Sequence, residues 1–263
     1  MNATAPGPDG VPPGSWKPGR RDFAVLCILA AGIAIRFLAL GQQSFWSDEI
    51  HSVTTARGEA GTGLADAIFN VHGPLHLVLL RGWMHVFGHT EAQIRTLSAL
   101  LGSVGLVLFY RMTRRLAGRT TGITALVILA CSPYYLWYSQ EARNYVLLFD
   151  LGLVAVPAFL NEIERRTRAS FLGALLTIAA TCLANLSGFF LLVLIGIHVL
   201  TAGRRGRYPV RRFLLLALLS LVILSPWIIR GASATGRLHL GVPSVGSDVP
   251  LPSGFDSKYA AGT

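Results

Sequence analysis

Long uninterrupted apolar blocks, separated by short clusters of arginine, are the feature that most constrains the fold of this chain. The blocks run for roughly 15 to 18 residues, and they neither alternate nor recur at helical spacing, so the solvent they face is expected to be lipid. Only 14% of the 263 residues are charged, against roughly 25% in a soluble domain. The sequence therefore predicts an all-α, polytopic membrane helix bundle and excludes an ordinary soluble enzyme.

Seven of these blocks are predicted to cross the membrane as helices. They occupy residues 23–40, 94–110, 121–137, 145–160, 171–186, 187–200 and 213–229. The apolar stretch 171–203 is too long for one span, so the turn-forming residues 185–188 near its middle predict a tight helical hairpin.

Residues 75–87 form a shorter apolar segment that is not predicted to cross. At about 1.5 Å per residue the segment reaches only about 20 Å, which is short of the roughly 30 Å hydrocarbon core. It also carries His76, Arg81 and His85. An amphipathic, juxtamembrane helix that lies on the membrane surface fits this pattern better than a span.

The arginine clusters indicate how the chain is oriented. If residues 75–87 do not cross, fifteen of the 23 Lys and Arg residues fall on one side. If they do cross, the last three clusters are exported while the amino-terminal one stays inside, contrary to the positive-inside rule. The sequence therefore predicts a multi-pass plasma-membrane protein with a cytoplasmic N-terminus and an external loop over residues 41–93. Because the arginines form no continuous face, the net charge of +10 is explained by this topology and does not indicate nucleic-acid binding.

The ends of the chain differ in composition from its middle. Residues 1–21 are rich in Pro and Gly and are predicted to form a disordered cytoplasmic tail, followed by a transmembrane domain over residues 22–230. Residues 231–263 are small, polar and rich in Pro and Gly, which leaves two readings open: a disordered tail, or the end of a truncated gene product. The three cysteines lie in apolar blocks without CxxC spacing, so neither a disulfide framework nor a zinc site is indicated.

Acidic, imidazole and guanidinium side chains from separate segments lie on the predicted external face. The loop opens with the adjacent carboxylates Asp48 and Glu49 in the run SFWSDEIH. On composition alone this is an ordinary helix start with Ser47 or Asp48 as N-cap; alternatively, a carboxylate there can take a proton from an acceptor hydroxyl. The other polar groups predicted on this face are His72 in HGPL, Arg95, and Glu141, Arg143 and Tyr145 in YSQEARNY. Taken alone, each of these residues is explained as part of a helix start or as an anchor to lipid headgroups. Their position on one face of the membrane favours a functional site.

The succession WSDEIHSV, HGPLHLVLL, a G-x-x-E-x-x-x-R stretch and YSQEARNYVLL resembles the polytopic GT-C glycosyltransferases related to protein O-mannosyltransferases and aminoarabinose transferases. The resemblance covers roughly residues 22–230. It implies inverting transfer of mannose or a similar sugar, on the external face, from a polyprenyl-phosphate donor to an acceptor hydroxyl. A protein, a glycolipid and a cell-wall glycan all remain open as the acceptor.

The same resemblance implies roles for individual residues. Asp48 is the expected base, and Glu49 is expected to support it or to help bind a divalent cation, with His72 as a second candidate ligand. The expected groups that position donor phosphate and acceptor are Arg95, Glu141, Arg143 and Tyr145.

Chemistry independently favours a lipid-linked donor. The chain has no DxD pair and no Gly-rich phosphate loop, nucleotide sugars are cytoplasmic while the predicted site faces out, and a guanidinium fork suits a leaving lipid phosphate. Two departures from the family pattern stand out. Gly73 occupies the place of a second proline, which is expected to loosen the start of the surface helix, and relatives carry more spans. Two other classes stay open, a transporter or lipid-handling protein without chemistry and an inactive fragment of such an enzyme.

Overall fold

The computed structural model describes residues 20–58, 68, 73–203 and 209–239. Every regular element among them is helical, which confirms the all-α class. The helices are α1 (Arg20–Arg36), α2 (Ser47–Arg57), α3 (Pro74–Phe87), α4 (Glu91–Ala130), α5 (Pro133–Tyr138), α6 (Tyr145–Arg165), α7 (Arg168–Ala184), α8 (Phe189–Gly203) and α9 (Val210–His239).

Helix α4 folds back on itself at Gly118, where the backbone leaves the helical region with φ 86°. Leu106 and Ala130, on either side of this turn, both come within 3.3 Å of the position that a Cβ would take on Gly32. The turn therefore separates the spans predicted at residues 94–110 and 121–137. The second of these ends early, because the Ser132 side chain accepts a hydrogen bond from the Tyr135 backbone N–H and Pro133 begins the separate helix α5.

Helix length and composition alone identify fewer candidate spans than the seven predicted. Among the described residues, three helices are long and apolar enough to cross a membrane: Glu91–Ala130, Tyr145–Arg165 and Val210–Arg230. Two shorter apolar helices, Arg168–Ala184 and Leu186–Thr201, accompany them. The membrane bundle is thus confirmed, and the count of seven is not.

Two local predictions agree with the structure and one boundary does not. Pro74–Phe87 is a helix, and the chain reverses through a 3-10 turn at Leu186–Gly188, where the Asn185 side chain accepts from the Ser187 N–H. Helix α9, however, continues past the predicted boundary at residue 230 to His239, with Pro226 in its interior. Residues 1–19 and 240–263 of the predicted tails lie outside the described residues.

Ion pairs collect basic residues at one end of the bundle, called here the basic end. Arg119 pairs with Asp22 at 2.6 Å, which joins the turn of α4 to the start of α1. Arg212 pairs with the buried Glu162 at 2.8 Å and donates to the Arg166 carbonyl oxygen at 2.8 Å. The basic clusters therefore come together pairwise, as the predicted topology requires.

An apolar cluster fastens the short helices α2 and α3 to the start of α4. Its buried members include Val53, Leu77, Leu80, Met84 and Ile94. Because α2 carries the adjacent carboxylates, this cluster fixes their position at the end of the bundle opposite the basic end. We call it the carboxylate end.

Charged residues inside the bundle face its interior, as their sequence positions predict. Arg36 is fully buried, donates to the Gly32 carbonyl oxygen at 2.6 Å and lies 4.9 Å from the Tyr135 ring centroid. The Tyr135 hydroxyl donates to the Gly102 carbonyl oxygen at 3.1 Å, and both this hydroxyl and the carboxylate of Asp150 lie against the Cα of Gly105. The glycines of α4 thus make room for polar side chains between the helices.

This packing predicts that Gly105→Ala destabilises the bundle. The new methyl group collides with the Tyr135 hydroxyl and the Asp150 carboxylate, and overpacking of this kind costs about 1–3 kcal/mol. Gly152→Ala on α6 is the matched control, since nothing lies within 4 Å of its Cβ position. We expect the melting temperature in detergent to fall for Gly105→Ala and not for Gly152→Ala; equal melting temperatures would contradict the packing.

Candidate active site

The start of α2 positions the two adjacent carboxylates differently. The helix begins at Ser47, with Trp46 as the N-cap residue, so the predicted N-caps Ser47 and Asp48 instead lie in its first turn. The Glu49 carboxylate reaches back and accepts from the Trp46 backbone N–H at 3.4 Å. Neighbouring helical residues point about 100° apart, and Glu49 is buried while the Asp48 side chain is 46% exposed.

Glu49 forms a buried, two-pronged ion pair with Arg95. Arg95 Nε donates to Glu49 Oε1 at 2.9 Å, and Arg95 Nη2 donates to Glu49 Oε2 at 2.6 Å. Glu49 Oε1 also accepts from the Ala142 backbone N–H at 2.8 Å. The pair therefore joins α2, the start of α4 and the loop between α5 and α6.

The remaining N–H groups of Arg95 hold the loop after α1. Nη1 donates to the carbonyl oxygens of Leu40 and Gln43 at 2.9 and 2.6 Å, and Nη2 donates to that of Ser44 at 3.2 Å. A guanidinium has five N–H donors, so all of them are engaged within the protein. In this arrangement Arg95 positions the loop with all its donors in use, and its predicted role in binding the donor phosphate stays a prediction.

The same geometry bears on the predicted cation. The two Glu49 oxygens accept four hydrogen bonds, which occupy about all the lone-pair positions of a carboxylate. Glu49 in this arrangement does not fit the predicted role of cation ligand. His72, the second predicted ligand, lies outside the described residues, and within those residues no group of three His, Cys, Asp or Glu side chains could hold a metal ion.

Asp48, Arg143 and Tyr145 come together, as predicted from their shared face. Arg143 Nη2 lies 3.4 Å from Asp48 Oδ2, and Arg143 Nη1 donates to the Asp48 carbonyl oxygen at 3.0 Å and to Ser52 Oγ at 3.2 Å. The guanidinium stands over the Tyr145 ring, 5.5 Å from its centroid. Arg143 Nε is buried and makes no hydrogen bond. The Arg143 side chain is 20% exposed, against 7% for Arg95, so part of this guanidinium is accessible to a ligand.

Glu141 is buried beside this group, with 5% of the residue exposed. Neither of its carboxylate oxygens makes a hydrogen bond of good geometry. Burial raises the pKa of Glu141 to about 7, although the indole of Trp137 and the neighbouring arginines act in the opposite direction. The site thus contains a second carboxyl group, and burial raises its pKa above the ordinary value for glutamic acid.

His76 is a member of the site that sequence reasoning missed. It is 2% exposed, and its Nε2 has no hydrogen-bond partner. Burial, with a smaller contribution from Arg143, lowers the pKa of His76 to about 3, so the imidazole is neutral. The available signal was a histidine on the apolar face of α3, which the surface-helix interpretation assigned to the polar face.

Gly73 fits the structure better than the proline of the family pattern would. Its φ is 130°, a value closed to proline, whose ring fixes φ near −65°. A Cβ there would approach Asn144 Nδ2 and the Ala184 carbonyl oxygen to 2.5 Å. The glycine therefore allows the start of α3 to pack closely against the loop that carries Arg143, and does not loosen it.

Together, fold and site define a helical membrane protein with an exposed carboxylate and a partly free arginine at one end of its bundle. Residues 71–229, more than half of the chain, match the family described as dolichyl-phosphate-mannose-protein mannosyltransferases. The chain belongs to this family, which confirms the resemblance seen in the motifs. The matched range contains Arg95, Glu141, Arg143 and Tyr145, while Asp48 and Glu49 precede it.

Two solved structures share the fold. The crystal structure of ArnT from Cupriavidus metallidurans bound to undecaprenyl phosphate has a TM-score of 0.61 at 20% identity, over 81% of this chain and 42% of that one. The S. cerevisiae protein O-mannosyltransferase Pmt1-Pmt2 complex bound to the sugar donor has a TM-score of 0.57 at 17% identity, over 84% of this chain and 34% of that one. The chain thus spans less than half the length of either. Comparison with curated proteins gave no match.

The ion-pair geometry predicts that Arg95→Met is strongly destabilising. Removing one partner leaves the Glu49 carboxylate buried and uncompensated, which typically costs about 3–5 kcal/mol. Arg81→Met is the matched control, because within the described part of the chain Arg81 donates to the carbonyl oxygens of Ala56 and Arg57, and we expect a loss of about 1 kcal/mol. Thermal unfolding in detergent measures both.

A double variant separates the ion pair from its members. Glu49→Met combined with Arg95→Met removes both charges, so we expect it to recover part of the stability lost by Arg95→Met alone. Losses for Arg95→Met no larger than for Arg81→Met would show that the pair does not hold this end together.

Proposed function

We propose that this chain carries the catalytic part of a membrane glycosyltransferase that moves a sugar from a polyprenyl-phosphate donor to an acceptor hydroxyl, with Asp48 as base. The single observation that carries the proposal is the exposed Asp48 carboxylate held 3.4 Å from Arg143 Nη2. Membership of a family described by a dolichyl-phosphate-mannose donor supports it. So do fold relatives bound to undecaprenyl phosphate and to a sugar donor.

The proposed reaction assigns one task to each free group. The Asp48 carboxylate takes the proton of the acceptor hydroxyl. The hydroxyl oxygen of the acceptor attacks the anomeric carbon on the side opposite the phosphate. The bond from this carbon to the phosphate oxygen breaks, and the lipid phosphate leaves with the bonding electrons and an added negative charge. Arg143, through the exposed part of its guanidinium, stabilises that charge. The sugar is transferred with inversion.

The fixed contacts of Glu49 and Arg95 support this division of roles. Because Glu49 is committed to Arg95, it orients the helix that carries Asp48 and is not a second base. Because Arg95 has no free donor, the proposed phosphate ligand is Arg143. Tyr145 limits how far the guanidinium can move, since Arg143 lies over its ring.

The proposed site faces the external side of the plasma membrane. The carboxylate end lies opposite the basic end, where Arg119 and Arg212 make their ion pairs. By the positive-inside rule the basic end is cytoplasmic. An external site also agrees with a lipid-linked donor, since a nucleotide sugar is confined to the cytoplasm.

Asp48→Asn tests the proposed base. Asparagine keeps the size of the side chain but accepts no proton, so we expect transfer from polyprenyl-phosphate mannose to fall by about 100- to 10,000-fold while donor binding changes little. The matched control is Asp22→Asn, which removes an arginine-paired carboxylate at the basic end and is expected to leave transfer intact.

The outcomes separate the base from the phosphate ligand. Arg143→Lys keeps the charge but loses the planar fork, so it is expected to weaken donor binding. Transfer at the wild-type rate by Asp48→Asn, with membrane insertion verified, would overturn the assignment of the base. Unchanged donor binding by Arg143→Ala would overturn that of the phosphate ligand.

A further inference from the structure

An aromatic groove of about 360 Å³ opens at the carboxylate end, and the reaction proposed above assigns it no ligand. Its walls are rings from α5, the start of α6 and the residue before α2: Trp46, Tyr134, Trp137, Tyr138 and Tyr145. Tyr134 is 78% and Trp137 57% exposed. These two rings therefore present apolar faces to whatever enters the groove, whereas Tyr138 also packs against the core.

One acidic group lines this aromatic surface. Glu141 contributes to the groove wall, is nine-tenths buried, and both its oxygens lack a hydrogen bond of good geometry. A buried carboxyl without full hydrogen bonding is costly, and a ligand that brings hydroxyl donors removes that cost. Rings that only anchor a protein at the membrane interface need no such carboxyl.

The groove opens beside the proposed base. Tyr145 forms part of its wall, the Arg143 guanidinium lies over that ring at 5.5 Å from the centroid, and Arg143 in turn lies 3.4 Å from Asp48 Oδ2. Trp46, on the other wall, directly precedes the helix of Asp48. The groove is thus linked to Asp48 through the Tyr145 ring and the Arg143 guanidinium.

We propose that the groove binds a saccharide as the acceptor of transfer. A pyranose ring has apolar C–H faces that stack on aromatic rings and a rim of hydroxyl groups that donate to a carboxylate, which matches the five rings and Glu141. The phosphate of the donor is disfavoured here, because Glu141 repels an anion and Arg143 attracts it. The inference rests on the proposed function and deepens it by naming a carbohydrate, and not a protein, as the acceptor class.

Saccharide binding without donor tests this groove independently of turnover. Saturation-transfer NMR on the full chain in detergent would use a panel of methyl glycosides and, as the competing class, a serine-containing peptide. We expect a glycoside to bind and Trp137→Ala to raise its Kd at least about tenfold. We expect Glu141→Gln and Tyr134→Ala to weaken binding as well. Because the Tyr134 ring is highly exposed, its removal is not expected to disturb the fold.

The control is Phe87→Ala, which removes an exposed ring outside the groove and should leave glycoside binding unchanged. Binding of the peptide alone would overturn the proposal in favour of a protein acceptor. Absence of glycoside binding, with Trp137→Ala and Phe87→Ala equally reducing association with lipid vesicles, would assign the rings to membrane anchoring. Weakened donor binding in Trp137→Ala without any glycoside binding would assign the groove to the donor sugar.

Failure of the groove and failure of the proposed reaction give different results. If Asp48→Asn keeps full transfer while Trp137→Ala loses glycoside binding, the base assignment is wrong and the saccharide groove stands. If Asp48→Asn loses transfer while every groove variant binds glycosides like wild type, the base stands and the groove is wrong.

Discussion

The buried ion pair between Glu49 and Arg95 determines how the carboxylate end of this protein is built. Burying two charges is expensive, and the expense is offset only when the geometry is good and the remaining hydrogen-bonding positions are filled. Both conditions hold here, because the five guanidinium donors and the two carboxylate oxygens all have partners within the protein. Four separate segments, the loop after α1, the helix α2, the start of α4 and the loop before α6, are thereby fixed to one another.

A consequence of this pair is that two chemically similar carboxylates have different tasks. Helical geometry turns Asp48 away from Glu49, so that one is buried and the other stands 46% exposed beside Arg143. The arginines divide in the same way: Arg95 has no unused donor, whereas Arg143 keeps Nε without a partner. The ion-pair network includes Glu49, which follows Asp48, and the backbone N–H of Ala142, which precedes Arg143. The network therefore holds in place the backbone that carries Asp48 and Arg143.

The sequence predicts the helical membrane class and the gathering of its polar motifs, because apolar length and charge asymmetry are properties of composition along the chain. The functional groups alone do not separate Asp48 from Glu49 or Arg95 from Arg143, since each pair carries the same group and only the three-dimensional partners differ. The division into Asp48 as base and Glu49 as support rests on the family resemblance. His76 escapes notice because burial, not identity, makes it part of the site. Gly73 is misjudged for a related reason: its value lies in a φ of 130°, which a pattern of residue types does not contain.

At the opposite end of the bundle, Asp22 and Glu162 hold the basic clusters, and the proposed orientation in the membrane rests on these clusters. Cysteine labelling in a background free of Cys27, Cys131 and Cys182 tests that direction most directly. His89 at the carboxylate end and Arg115 near the α4 turn are both exposed and suit single substitution by cysteine. We expect a membrane-impermeant maleimide added to intact cells to label His89→Cys, and to label Arg115→Cys only after permeabilisation. The reverse pattern would place Asp48 in the cytoplasm and contradict an external site supplied by a lipid-linked donor.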